Sequence, residues 1–526
     1  MPSAVTSLEY RLPADLPPAE VERRLGSGAG VSSTGTETRE RVLLDTFDWR
    51  LYRQGTAAEA VGGACPRFLW HRRVDGQVLG QVPGAPPRYA RDLPPGSLRH
   101  QLEELIEMRA LLPQARVRSR IAGFVVRDKQ GKIVLRLRVE ENTLVGETER
   151  PLSPRLHLEP VKGYRKALER ARRTLLEPLA LEPAGDDLLD EALAALQVTP
   201  TATSPKVRVA LQPDLPAGEA GRRILLPLLE TMEANEAGTI ADLDSEFLHD
   251  FRVAVRRTRS ALGQIKGVIP PTLLARFQEE FGWLGTITTP TRDMDVYLLN
   301  FPEYQASLPK KRREDLAALR KFLERRQKRE HRALARRLGG SRYQTLKRDW
   351  RAFLEAETGA DAPATAHLPV LELARRQIWK VYRRVLREGA VLDANCPAER
   401  FHELRKTCKK LRYLLEFFQS LFPGDDVATL VRALKIIQDN LGVHNDLDVQ
   451  AAALTGFGQE MQQEGKAPVA CLMAMGKLVE DLERRQVATR AEFSPLFARF
   501  STGKTRTLFR ELFASAGKGD KKGPRR

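Results

Sequence analysis

The sequence predicts an α+β domain built on an antiparallel sheet, followed by an all-α domain made of two similar halves. Three observations carry this expectation. Alternating apolar and charged residues mark strands between about residues 8 and 158, and a proline-rich break follows them. From about residue 218 onward nearly every segment reads as amphipathic helix, and one basic helical pattern occurs there twice.

In the first domain, residues 1–198, the segments 117–121 and 133–139 alternate in the manner of strands, with Arg136 and Arg138 on one wet face. Asp128-Lys129-Gln130-Gly131 between them is a turn signal that makes the pair a hairpin. Helical patterns are expected at 98–112 and 163–179. Pro200, Pro205, Pro213 and Pro216, among several Thr and Ser, interrupt all periodicity and place a linker at 199–217. The helical domain should span 218–513, with halves at about 218–350 and 368–513. Residues 514–526 form a Gly- and Lys-rich basic tail expected to be disordered.

His249, Arg252, Arg256 and Arg259 fall at i, i+3, i+7 and i+10, and His402, Arg405, Lys409 and Arg412 repeat that spacing 153 residues later. With about 100° of helical turn per residue, each set lies within an arc of roughly 80° and forms one cationic stripe. Arg257, Lys406 and Lys410 adjoin the stripes. The same offset carries Arg222-Arg223 onto Arg375-Arg376, and Arg292-Asp293-Met294-Asp295 onto Asn445-Asp446-Leu447-Asp448. Phe251, Val255 and Leu262 in one copy, and Leu404, Cys408, Leu411 and Leu415 in the other, form an apolar arc beside the stripe. Any one such helix reads first as a solvated face; duplication in register favours a receptor for a long, repetitive polyanion. The basic segment 310–337, by contrast, reads as a solvated face with Glu–Arg and Glu–Lys pairs.

The chain has 526 residues and a net charge of +18, with a pI of about 9.9. That balance calls for an anionic partner. Aromatics at 6% weigh against a reader of nucleic-acid bases, which uses stacking platforms, so nucleic acid is the lesser alternative. No signal pattern and no apolar run of about 18 residues is present, so a cytoplasmic protein with no membrane partner is expected. Cys65, Cys396, Cys408 and Cys471 lack metal spacing and read as reduced, mostly buried thiols.

The two stripe segments, 247–259 and 404–413, together with Gln438-Asp439-Asn440-Leu441-Gly442-Val443-His444-Asn445-Asp446-Leu447-Asp448, resemble the CHAD family. At the matching place in the first half, Ile287-Thr288-Thr289-Pro290-Thr291 stands where a Leu-Gly step is expected, which suggests a different local turn. The resemblance covers about 218–512. It implies two pseudo-symmetric helical bundles that bind inorganic polyphosphate along a basic central groove or pore, with no established catalysis; whether the protein sits on polyphosphate granules is not read from the sequence. Under that reading Arg222, Arg223, His249, Arg252, Arg256, Arg257, Arg259, Arg375, Arg376, His402, Arg405, Lys406, Lys409, Lys410 and Arg412 meet the polyanion. The histidines act as phosphate contacts or local hydrogen-bonding groups rather than metal ligands. Asp293, Asp295, Asp446 and Asp448 would cap helices or hold basic side chains by ion pairs.

The N-terminal part resembles the CYTH family of triphosphate tunnel enzymes at Leu44-Asp45-Thr46-Phe47-Asp48-Trp49-Arg50-Leu51, which implies a tunnel or barrel-like sheet. The family's Glu-x-Glu-x-Lys strand reads Ser7-Leu8-Glu9-Tyr10-Arg11 here, and a later paired-Glu strand reads Leu156-His157-Leu158-Glu159. With carboxylates missing from both, a magnesium site is incomplete. A vestigial anion site of Glu9, Arg11, Arg118, Arg120, Arg136, Arg138 and Glu159 is the expectation, with Arg72 and Arg73 as further strand-borne charge and no metal or other cofactor. The enzymatic alternative is a Mg²⁺-dependent triphosphatase or polyphosphatase using Glu9, Glu140, Glu141 and Glu159.

Overall fold

A computed structural model describes residues 8–514 except 29, 64, 162, 180, 201–208, 358, 360, 361 and 394. The chain divides into two compact units, Met1–Thr203 and Ser204–Arg526.

The first unit is a curled, half-barrel antiparallel sheet. Its strands are β1 (Leu8–Arg11), β2 (Val31–Asp45), β3 (Thr56–Val61), β4 (Arg67–Arg72), β5 (Val78–Pro83), β6 (Leu112–Arg127), β7 (Ile133–Leu144), β8 (Arg150–Pro151), β9 (Arg155–Pro160) and β10 (Glu182–Pro183). They run β10-β1-β9-β7-β6-β2-β3-β4-β5, with β8 beside β7. Helices α1 (Pro18–Gly26), α2 (Arg50–Arg53), α3 (Ser97–Ile106), α4 (Arg165–Ala171) and α5 (Leu188–Ala195) surround it. The β6–β7 hairpin turns at Asp128, whose Oδ1 accepts from the amides of Gln130 and Lys132, with Gly131 in the left-handed region.

Strand parity decides what this sheet does. Tyr10, Leu135, Leu137, Val139, Leu156 and Leu158 pack under Val21 and Leu25 of α1 and Leu168 of α4. The residues between them face the other way, and there Arg41 on β2 reaches Glu140 on β7, past the intervening β6. That contact defines an inward, charged face. At one end α5 covers it, with Leu188, Leu189, Ala192 and Leu193 packed on Val117 and Leu144.

The helix expected at 98–112 stops at Ile106, because Glu107 takes a positive φ and Leu112 begins β6. The one expected at 163–179 is α4 continued by a π turn and a short 3₁₀ turn. Within the linker expected at 199–217, residues 201–208 lie outside the described residues, as do 515–526 of the expected tail. From residue 209 onward that stretch is part of the second unit: Leu211 and Leu215 are buried in its core, and Ser420 bonds both the Leu211 amide and the Val209 carbonyl.

The second unit is all helical: α6 (Ala217–Ile240), α7 (Ser245–Gln264), α8 (Pro271–Leu299), α9 (Phe301–Ser307), α10 (Ala317–Leu338), α11 (Ser341–Glu355), α12 (Val370–Gly389), α13 (Ala398–Phe417), α14 (Gly424–Gln463), α15 (Val469–Phe500) and α16 (Gly503–Phe513). The 153-residue offset recurs in the starts of α6 and α12, α7 and α13, and α8 and α14. The two copies meet at equivalent points. The Ala217 amide donates to the Leu368 carbonyl at 2.9 Å and the Val370 amide to the Leu215 carbonyl at 2.8 Å, around paired Pro216 and Pro369. This exchange marks a local pseudo-twofold axis. Both copies contribute to each of two cores, one holding Phe251, Leu262, Leu404 and Leu411, the other Tyr297, Phe322, Leu447 and Phe457.

Pro290 lies inside the unbroken helix α8, so the turn suggested at 287–291 is absent. Asp293, Asp295, Asp446 and Asp448 consequently sit in mid-helix and cap nothing. Asp244 caps α7 instead, its Oδ1 accepting from the Glu246 and Phe247 amides.

Gly238 on α6 gives a stability test. A Cβ there would lie 2.1 Å from the buried Phe247 ring. Gly→Ala inside a helix ordinarily gains about 1 kcal/mol, but overpacking costs about 1–3 kcal/mol. Gly238→Ala is therefore expected to lower the unfolding free energy of the second unit in denaturant titration; a stabilised variant would contradict the close packing of α6 on Phe247.

Candidate functional site

In the second unit the two stripes converge. The helices α7 and α13 bring Arg256 of the first copy to the second, where its Nε donates to the Tyr413 hydroxyl at 2.9 Å. Tyr413 lies one turn beyond Lys409, so Arg256, Arg405 and Lys409 are mutual electrostatic neighbours. Arg252, partly buried, lies near Arg256, Arg259 and Arg292, and burial together with these neighbours brings its guanidinium down to about 10 despite Asp293. Its Nη1 donates to the hydroxyls of Thr288 at 2.8 Å and Thr289 at 3.0 Å. The Thr-Thr-Pro departure from the family motif thus supplies an anchor for Arg252. Arg259 lies against Gly285, where a Cβ would stand 2.6 Å from its Nη1. The equivalent Arg412 reaches Gln438 at 3.5 Å and also pairs with Glu416.

Burial, Arg405 and Arg256 lower the Lys409 ammonium to about 8, against the pull of Asp446. Arg405 is lowered as well, by burial first, and its Nε has no hydrogen-bond partner among the described residues. Its own carboxylate, Asp446, stands 3.5 Å away.

The histidines follow the pseudo-symmetry. Nδ1 of His249 receives a hydrogen bond from Arg292 at 2.9 Å, while Nδ1 of His402 donates to Oδ1 of Asn445 at 2.7 Å. The Asn445 amide is oriented by its donation to Asp446 at 3.2 Å. Both rings are locally hydrogen-bonded, one as acceptor and the other as donor at the same atom. Of the four aspartates, Asp293 and Asp446 neighbour Arg252 and Arg405. Asp295 and Asp448 instead accept from Gln327 at 3.1 Å and Gln486 at 2.8 Å, so they brace neighbouring helices rather than stripe cations. Burial raises the Asp295 carboxyl to about 7.

Several basic residues expected in the stripe have other work. Arg257 is buried and paired with Glu416, beneath Tyr413 and Phe417. Arg222 donates to the Phe353 and Glu357 carbonyls at the end of α11, and the equivalent Arg375 donates to the Leu512 carbonyl at the end of α16. Both satisfy terminal carbonyls, the usual task of a basic residue at a helix C-terminus. Arg223 pairs with Glu219 on its own helix, Arg376 is exposed, Lys406 is exposed and pairs with Glu403, and Lys410 is partly exposed. A cleft of about 180 Å³ borders Asp446, but Glu303 and Asp481 also line it, which makes it the wrong sign for an anion.

In the first unit the inward face carries Arg41 between Glu59 at 2.7 Å and Glu140 at 3.3 Å. Arg155 binds Glu9 at 2.5 Å and Glu191 at 2.6 Å, and His157 stands 3.4 Å from Glu140. Burial would raise Glu59 and Glu140, yet both are held below the usual carboxylate range, Glu59 chiefly by Arg41 and Glu140 chiefly by His157 and then Arg41. Arg138 and Arg136 share this face, opposite His157 and Glu159, while Arg11 pairs with Asp186. Arg73 is held by Asp187 and Asp190, and Arg72 lies beside Asp75. Arg118 and Arg120 are on the opposite, outer face, where they pair with Glu40 and Glu149 and with Glu22 and Glu141. The expected set therefore divides by strand parity, and Glu141 leaves the enzymatic alternative for the same reason.

The donor set does not suit magnesium. Glu9, Glu59 and Glu140 are each already matched by a guanidinium, and among the described residues no group of three His, Cys, Asp or Glu side chains is placed to hold a metal ion. Sequence reasoning missed Arg41, Glu59, Arg155 and His157. Glu59 was detectable as the single charge in Thr-Ala-Ala-Glu-Ala-Val. It also missed Tyr413 and the His249–Arg292 and His402–Asn445 pairs, although the offset already linked these positions.

The second unit is thus a duplicated helical domain with one shared cationic face. Residues 223–455 match the family model of the CHAD domain, and that stretch is a CHAD domain. The CHAD domain of the plant Ricinus communis is similar at 28% identity over 56% of this chain and 95% of its own, with a TM-score of 0.48. PptA from Streptomyces chartreusis is similar at 16% identity over 54% of this chain and 99% of its own, with a TM-score of 0.44. The half-barrel sheet resembles a putative adenylyl cyclase from Hippeastrum with a dominant triphosphatase activity, at 13% identity over 37% of this chain and 96% of that one, with a TM-score of 0.28. No curated protein matches.

Arg41 gives the test of the inward network. Arg41→Met leaves Glu59 and Glu140 buried without their guanidinium, which is expected to cost about 3–5 kcal/mol of first-unit stability near neutral pH. Carboxyls held low contribute stability above their unfolded pKa and lose it as pH falls, so the deficit should shrink toward acid pH. Equal unfolding curves for variant and parent at pH 7 would contradict the network.

Proposed function

We propose that the second unit binds inorganic polyphosphate across the joint face of α7 and α13, with Arg252, Arg256, Arg259, Arg405, Lys409 and Arg412 as the phosphate-facing cations and His249 and His402 at its edge. The observation that carries this reading is the Arg256–Tyr413 hydrogen bond, which joins the two stripes into one surface. Lys409 makes no ion pair among the described residues, and the nearest carboxylate to Arg405 stands at 3.5 Å. Arg412 is the member with a close carboxylate, Glu416 at 2.7 Å; guanidinium groups suit phosphate oxygens, and repeated weak contacts to a flexible chain sum to firm, salt-sensitive binding. No described helix is long and apolar enough to cross a membrane. Polyphosphate-rich granules in the cytoplasm are the setting this chemistry fits. The first unit has its inward cations largely matched by carboxylates and serves as a docking or secondary anion module without catalysis of its own.

Arg256 is exposed and Lys409 partly so, which makes them cleaner probes than the anchored Arg252 and Arg405. Arg256→Glu with Lys409→Glu is expected to weaken binding of long-chain polyphosphate about a hundredfold at moderate salt, with the helical circular dichroism unchanged. Retained affinity would refute the face, and displacement of polyphosphate by duplex DNA at equal phosphate concentration would replace the ligand with nucleic acid.

A pH series gives a second check. With the free Lys409 ammonium near 8, a bound anion favours its charged form, so binding takes up a proton above that pH. Affinity should fall as pH rises beyond about 8, and Lys409→Arg should flatten the fall. A flat parent profile from pH 7 to 10 would contradict the assignment of Lys409 to the face.

A further inference from the structure

Lys409 differs from the other lysines around it. It follows Arg405 by four residues and precedes Arg412 by three on α13, so the three share one side of the helix. Arg256, held from α7 by Tyr413, adds a third guanidinium, and Asp446 on α14 opposes them. Lys406, one turn earlier, is exposed and has Glu403 at 2.8 Å; among the described residues no carboxylate pairs with Lys409, which is partly buried. An amine so placed is pressed toward its neutral, nucleophilic form, and at about 8 roughly a tenth of it is free base at pH 7.

We propose that Lys409 is a site of acylation by small acyl phosphates, whose phosphate is held by Arg256 and Arg405 while the amine takes the acyl group. The lysine nitrogen attacks the carbonyl carbon of the mixed anhydride, and a C–N amide bond forms. The bond from that carbon to the bridging phosphate oxygen breaks, and inorganic phosphate leaves with the electron pair. The amine gives up one proton to solvent. Guanidinium groups that bind the phosphate also stabilise it as a leaving group, so the same residues recruit the donor and ease its cleavage. The product is a neutral amide in the middle of the cationic face, which lowers its affinity for polyanions. This inference rests on the reading of the face as a phosphate site.

The test uses the full chain at pH 8 with acetyl phosphate or with acetic anhydride, an acyl donor without phosphate, followed by site-resolved mass spectrometry. Lys380, exposed on α12, serves as the reference. With acetyl phosphate, Lys409 is expected to be acetylated at least about tenfold faster than Lys380. Tripolyphosphate should abolish that lead, and Arg256→Gln should reduce it. Lys409→Gln should bind polyphosphate about tenfold more weakly, and Lys409→Arg, which has no acylable amine at that position, should show no acetylation there. No lead of Lys409 over Lys380, while polyphosphate still binds, overturns the acylation proposal alone. An equal lead with both donors, unaffected by tripolyphosphate and accompanied by no polyphosphate binding, overturns the phosphate reading of the face and the proposal with it.

Discussion

Guanidinium and ammonium groups from α7 and α13 repel one another, and the second unit holds them side by side with carboxylates against only some of them, Glu416 on Arg412 and Asp446 near Arg405. The neutral partners are telling. Arg252 is fixed by threonine hydroxyls and Arg256 by a tyrosine hydroxyl, contacts that set position and leave charge intact. Burial and mutual repulsion depress Lys409 and Arg252, an unfavourable arrangement sustained by the shared core in which the apolar sides of α7 and α13 are packed. The copies are locked at Pro216 and Pro369 by an exchange of backbone hydrogen bonds, so the stripes cannot drift apart without breaking a packed core.

The first unit solves the opposite problem. Its inward face is also charged, but its most buried cations have acids against them: Arg41 has Glu59 and Glu140, and Arg155 has Glu9 and Glu191. Buried pairs of this kind fix geometry and contribute little net attraction for a further anion. This contrast is what makes the helical unit, rather than the half-barrel, the proposed anion receptor.

Periodicity made the helices, the duplicated stripes and the β6–β7 hairpin legible in the sequence, since each rests on local spacing. What escaped was tertiary. Arg257 belongs to the same basic run as Arg256, yet 100° of helical turn sends it into the interior against Glu416. Arg222 and Arg375 obey the 153-residue offset because they close equivalent helix ends, a structural reason for a repeat that reads as a binding pattern. Arg118 and Arg120 alternate correctly along β6 but on the outer face, a distinction fixed only by strand pairing. The histidines' partners, Arg292 and Asn445, stand 43 residues away on the next helix, beyond any local signal.

Counterion release measures the joint face most directly. For a flexible single chain the logarithm of affinity falls with the logarithm of salt concentration by about 0.7 for each phosphate neutralised. Titration of long-chain polyphosphate into the intact protein across a salt series should therefore give a slope of about −4 if the six cations of both stripes act on one chain. A slope of about −2, the value expected for either stripe alone, would contradict a single shared site.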